Sequence, residues 1–417
     1  MFPSSSRVHH TSKGGFTFQA IAIALIAAYS CNPVSAQVKY NVGVTADITG
    51  GGNTPIFAGS SLTQSSWDLA PFIGTYPSVT FRAIGEHSSL DSTYGFGYDR
   101  TFSDPTYETK THNATVAFSS KFGPKWSFHL SDSYYKSSNI SSFRFLSGLT
   151  QVPDPTEADQ FQFVFTPVFF QSNHSNTATV GLDRILNKKS SLLISGSYST
   201  LDYPNASSAT GVLSDQKRIS ASVSFKRSGE HYSWTIGYSG ARFNFAAFQN
   251  SLNHSATVGY FYQFSPTLSF EITAGPSFLE GLDTVKSPLG TTVTATLNRS
   301  IPRGSLAVSA SHTSSETSGL GSVSRNRDIG FNMSHALGKN ATVSANVSGF
   351  NTQGLTVNGV SARGISGGGT FGLTLSRDWS LNWGGHFQHY EGYNTSGYDQ
   401  KRLFMSLRYN KPELWRF

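Results

Sequence analysis

Residues 217–240 read KRISASVSFKRSGEHYSWTIGYSG. Ile219, Ala221, Val223 and Phe225 alternate with Ser220, Ser222 and Ser224, and after KRSGEH the alternation resumes with Tyr232, Trp234, Ile236 and Tyr238 against Ser233, Thr235, Gly237 and Ser239. Side chains of period two belong to a strand whose two faces meet different surroundings. KRSGEH is a turn, so the stretch predicts a hairpin.

The same pattern runs on from position 91. Strand candidates of about ten residues recur, among them those built on Trp126, Phe128 and Leu130, on Leu268, Phe270 and Ile272, and on Leu381, Trp383 and Phe387. Short connections at 122–125, 187–190, 226–231, 265–267, 301–304, 337–340 and 377–378 alternate with long ones at 137–173, 201–214, 243–252, 279–289, 314–325, 351–364 and 391–400. Greek-key sandwiches mix their connection lengths. An up-and-down barrel gathers tight turns at one rim and long loops at the other.

Counting these connections predicts an all-β, antiparallel up-and-down transmembrane barrel of about 16 to 18 strands, spanning 66–410. The larger total needs one more hairpin within WDLAPFIGTYPSVTFRAI (67–84). ADQFQFVFTPVFF (158–170) resembles a strand but would break the alternation, so it is assigned to the long loop 137–173, either packing its own aromatics or folding into the lumen. Residues 37–65 are expected to be a flexible periplasmic lead or a small lumen insert. With Pro412 as a strand breaker, Tyr409 is expected to close the barrel and 411–417 to form a tail, which leaves Tyr409 and Phe417 as rival insertion signals.

A soluble barrel of this size would enclose more volume than its small side chains can fill. Turning the apolar face to lipid and the Ser, Thr, Asn and Gly face to a wet lumen removes the difficulty, and closure pairs every backbone edge. Aromatics near strand ends, such as Trp126, Trp379, Tyr238, Tyr262 and Tyr390, suit the two interfaces.

Residues 1–36 read as an export signal: Arg7 and Lys13, the apolar run AIAIALIAA from Ala20 to Ala28, then VSA before a cut after Ala36. The single cysteine, Cys31, falls inside it, so the exported chain has neither disulfide nor thiol chemistry. Without Arg7 and Lys13 the 31 basic residues become 29 against 24 acidic, a net charge of +5. The basic residues are scattered among turns, which excludes a nucleic-acid stripe. No 18-residue apolar window predicts a helical span.

Export signal, alternating strands, alternating loop lengths and aromatic ends together resemble the outer-membrane β-barrels of Gram-negative-type bacteria, porins in broad terms. The resemblance implies an outer-membrane location, contact with membrane lipid and the assembly machinery, and passive diffusion of small hydrophilic solutes. It implies no particular solute and no oligomeric state. A structural or adhesin-like barrel without an open pore is the alternative.

Strand parity assigns lumen-lining candidates: His129, Ser131, Arg218, Glu271, Asp328, Asn332, His386, Gln388 and Arg408. They either set the field felt by a solute or are solvated wall residues. A barrel hydrolase using His129 and Ser131 is a distant third reading, because residues two apart on one strand sit roughly 7 Å from each other. No catalytic motif or metal-spaced cluster appears in the sequence, so no cofactor or metal is expected.

Overall fold

The computed structural model describes residues 38–54, 69–102, 107–138, 172–204, 215–246, 250–281, 289–317, 322–355, 361–392 and 395–416. The export signal and the strand-like 158–170 lie outside them. The chain begins with β1 (Lys39–Asn53), β2 (Ala70–Thr75), β3 (Ser78–Ile84), β4 (Ser88–Thr101), β5 (Tyr107–Phe122) and β6 (Trp126–Ser137). It continues with β7 (Asn173–Asn187), β8 (Ser190–Asp202), β9 (Gln216–Ser228), β10 (Tyr232–Phe245), β11 (Ser251–Ser265), β12 (Leu268–Glu280) and β13 (Leu289–Ile301). Last come β14 (Gly304–Thr317), β15 (Ser322–Leu337), β16 (Ala341–Gly354), β17 (Ser361–Thr374), β18 (Trp379–Gly392) and β19 (Thr395–Arg416). All pairings are antiparallel, between chain neighbours except that β1 also pairs with β3 and β2 with β4, and β1 pairs with β19, which closes the sheet.

The closed sheet has 18 staves, because the 19 strand segments include β2 and β3, which are two halves of one. Both pair with β1 on one side and β4 on the other, in continuous register. Between them sits Pro77, which cannot donate to a ladder. The Tyr76 N–H and the Pro77 carbonyl still bond to Asp47 and Phe96 at 2.8 and 3.0 Å. The hairpin expected within 67–84 is therefore a single interrupted stave.

The eighteenth stave is β1, which corrects the reading of 37–65 as a flexible lead or a small lumen insert over Lys39–Asn53, while 55–65 lie outside the described residues. Tyr40, Val42, Val44, Ala46 and Ile48 alternate on its outer side, where Ile48 lies opposite Leu407. The tail is corrected too: β19 runs through Pro412 to Arg416 and pairs with β1 from Asn41↔Arg416 to Asn53↔Arg402. A register shift between Val42 and Val44 absorbs the proline. Gly43 makes room for it, since a Cβ there would lie 2.7 Å from the Pro412 carbonyl oxygen.

Tight turns gather at one rim as expected. Gly123, Gly338 and Arg303 supply the positive φ angles these turns require. The long-loop rim is more regular than the sequence suggests, since β14 and β15 reach Thr317 and Ser322, and β18 and β19 reach Gly392 and Thr395. Loops expected at 314–325 and 391–400 are mostly strand.

Directly opposed residues share a face, so the register sorts every side chain. One face carries Ile236, Val258, Ile329, Val347, Ile365, Leu403 and Met405, each about half exposed. At the tight-turn rim Trp126, Phe122, Phe264 and Trp379 join them, with Trp379 against Tyr409 at 5.1 Å and Arg184 over Trp126 at 4.8 Å. The other face carries nearly all the buried polar side chains. Among the described residues no helix is long and apolar enough to cross a membrane, which leaves crossing by strands open.

Candidate functional site

Hydroxyl pairs bridge neighbouring strands along the polar face. Ser195–Ser222, Ser197–Ser220, Ser239–Ser255, Ser348–Ser366 and Ser89–Ser119 stand 2.6, 2.6, 2.7, 2.6 and 2.8 Å apart. Each hydroxyl donates once and keeps acceptor capacity for water. Small side chains in this pattern leave space along the wall.

The polar face is the interior of the barrel. Leu355, just past β16, is buried in one apolar cluster with Ala241, Phe243 and Phe245 of β10 and Leu279 of β12. β10 and β16 are far apart around the wall. Such contact requires crossing the lumen. Asn253 on β11 likewise donates through Nδ2 to the Ser314 carbonyl on β14, at 3.2 Å.

All nine predicted lumen residues lie on this inner face, but they do not converge. His129 stands opposite Ser119 and Gly181, and Ser131 opposite Ala117 and Thr179. Glu271 stands opposite Phe261 and Thr296. Asp328 accepts from the Ser311 hydroxyl at 2.9 Å, and Asn332 faces Asn346. The Arg218 guanidinium lies 5.6 Å from the Phe243 ring, beside the apolar cluster.

His386, Gln388 and Arg408 do share a sector, where the barrel closes. Arg408 donates to Asp47 at 2.9 Å, and Thr49 donates to the same carboxylate at 3.0 Å. Three rows toward the long loops from Arg408, His386 stands opposite Arg402, and one row further Gln388 stands opposite Gln400. Arg402 lies 3.5 Å from Asp99 and 3.9 Å over the Phe72 ring, and Asp99 also accepts from the Tyr76 hydroxyl. Two cations thus alternate with two carboxylates along one stripe of wall. His386 Nδ1 has no hydrogen-bond partner among the described residues.

Asp47, Asp99, Arg402, Tyr76 and Phe72 were not singled out from the sequence. Asp47 and Phe72 fall in segments read as a lead and as an uncertain hairpin. Arg402 follows from parity alone, being inward because Leu403 is outward.

Searches of family models and of curated proteins find no match. Among solved structures, OccK7 (OpdD) of Pseudomonas aeruginosa is 9% identical with a TM-score of 0.47, over 91% of this chain and 100% of that one. OpdQ of the same organism is 10% identical with a TM-score of 0.45, over 90% and 99%. A mutant of its ferric enterobactin receptor PfeA is 9% identical with a TM-score of 0.45, over 91% and 81%.

Proposed function

We propose that the protein is an outer-membrane channel, porin-like, that lets small hydrophilic solutes diffuse through its lumen, and that its leader is removed after Ala36. The observation that carries this reading is the inverted sidedness of a closed 18-stave sheet. Apolar side chains on the outside suit hydrocarbon, and an inner wall of hydroxyls suits water. Barrels of about 16 to 18 strands are wide enough for an aqueous path.

Selection would act at the closure sector, where Asp47, Arg408, Asp99 and Arg402 place fixed charges of both signs on the wall. Glu271 and Asp328 add acidic points elsewhere. No bond-making role is assigned to His129 and Ser131, whose cross-strand neighbours are Ser119, Gly181, Ala117 and Thr179. Single-channel recording in planar bilayers tests the proposal. Stepwise ohmic currents are expected, and silence at verified insertion rejects it.

One observation favours the second reading, a barrel that presents its loops to a partner without an open pore. Leu355 is clustered with Phe243, Phe245 and Leu279 from the opposite part of the wall, a contact that would narrow the long-loop mouth. The same recording separates the two readings.

A further inference from the structure

The inner wall near the long-loop rim is not a simple cylinder. β13 and β14 pair from Ile301↔Gly304 up to Val293↔His312, and there the ladder stops. Both strands continue: β13 extends back to Leu289 and β14 on to Thr317. Carried onward, the same register would set Thr292 opposite Thr313 and Thr291 opposite Ser314. Those backbone groups are instead parted by an inward lean of β14.

Three contacts describe the lean. Ser314 accepts through its carbonyl from Asn253, two strands beyond β13 on the inner wall. Arg325, opposite Ser314 on β15, donates from Nη2 to the Leu289 carbonyl at 3.4 Å. A Cβ on inward-facing Gly290 would lie 3.4 Å from that Nη2 and 3.5 Å from the Ser314 hydroxyl. The tops of β14 and β15 therefore cover the inside of β13.

β14, β15 and β16 lean as one sheet. Their mutual ladders run unbroken to Thr317↔Ser322 and Ser324↔Gly354. Behind them β16 stays paired with β17 up to Gln353↔Ser361, so the movement is the curl of one free edge. On the other side of the leaning sheet Leu355, just past the end of β16, lies in one apolar cluster with Phe243, Phe245 and Leu279.

We infer that this edge is a flap with two resting positions, closed against β10–β12 as described and upright when the β13–β14 ladder re-forms, and that it gates the lumen. The two positions exchange similar interactions. Closing gains the Asn253 and Arg325 hydrogen bonds and the apolar cluster; opening gains ladder bonds between residues 289–292 and 313–316. Net hydrogen-bond differences of this kind are small, and a few such terms of opposite sign make a bistable element. Among the described residues Arg325 Nε is buried without a hydrogen-bond partner in the closed position, a cost that opening relieves.

This inference rests on the channel reading for what the flap controls, but not for its movement. The only cysteine is Cys31, in the leader, so introduced pairs have no competing thiol in a chain carrying C31S. The pair N253C/S314C is expected to form a disulfide that locks the closed position. The pair T291C/S314C is expected to lock the upright one. Bilayer recordings should show at least a threefold higher conductance for the second than for the first, with dithiothreitol bringing the two to a common value.

If T291C/S314C stays reduced in a folded, heat-modifiable barrel while N253C/S314C oxidises, the upright position does not exist and the inference fails. It fails equally if both locked forms carry current and their conductances are the same. If both disulfides form and no form conducts, the flap stands and the channel reading falls.

Discussion

Arg408 on the last strand holds Asp47 on the first at 2.9 Å, across 361 positions of sequence, inside the seam that closes the barrel. The Asp47 side chain is 7% exposed and that of Arg408 22%. An exposed ion pair contributes up to about 1 kcal/mol, whereas breaking a buried one costs about 3–5 kcal/mol. This pair lies between those limits, on a wall that water can reach. D47A or R408A is expected to destabilise the barrel by about 2 kcal/mol in urea unfolding from detergent micelles. The double-mutant cycle should return a coupling of about 1 kcal/mol or more. Additivity within about 0.3 kcal/mol would show that the two side chains do not support the seam.

The last turn of the ladder makes a second prediction. Lys411 and Trp415 stand opposite Val44 and Val42, so the end of the chain covers the start of β1. Deleting residues 411–417 leaves that part of β1 with an open edge. An unpaired edge in hydrocarbon costs several kcal/mol for each orphaned group. The truncated protein should lose the fast-migrating folded band on an unheated gel. Retention of that band at wild-type yield would mean that β19 ends functionally at Tyr409.

The alternation of Ser220, Ser222 and Ser224 with Ile219, Ala221 and Val223 gave two-faced strands, and the alternation of short with long connections gave the closed topology and the tight-turn rim. Parity depends only on chain order, so it also placed His129, Glu271 and Arg408 inward. What stayed hidden were the places where backbone chemistry opposes the pattern. Pro77 and Pro412 look like strand breakers, yet each sits at an interruption that the flanking ladder spans. The Gly-rich run at 50–52 hides β1 because its partner is β19, at the other end of the chain. For the same reason Asp47 and Arg402 were not placed in the site. Parity gives a residue's face, and only closure gives its neighbour. The inward lean of β14 was beyond reach because residues 313–316, Thr-Ser-Ser-Glu, are polar throughout and carry no alternation from which a face could be read.

The two glycine triplets should respond differently to a methyl group. A Cβ on Gly51 would lie 2.0 Å from the Leu403 carbonyl oxygen, so the seam backbone must shift to admit it. At Gly367 the nearest atom would be the Asn346 carbonyl oxygen at 3.4 Å, close to ordinary contact. G51A is expected to cost about 2 kcal/mol, in the range for overpacking. G367A should be neutral or stabilising, because glycine within a strand carries an entropic cost of roughly 0.5–1 kcal/mol relative to alanine. Equal unfolding midpoints for the two variants would contradict the close approach at the seam.

Sidedness itself can be tested on β10, where Ile236 points outward opposite Val258 and Ser239 points inward opposite Ser255. An arginine on the lipid face near mid-strand costs about 2–4 kcal/mol. I236R should therefore fold in low yield or unfold at lower urea. S239R places the same side chain beside the hydroxyls of Ser222 and Ser255, where water solvates the guanidinium. That variant should fold like the wild type, carry a smaller current, and shift its reversal potential in a salt gradient toward anion preference. If I236R instead folds normally while S239R collapses, the apolar face is the inner one, and the protein is a filled barrel with no path for solutes.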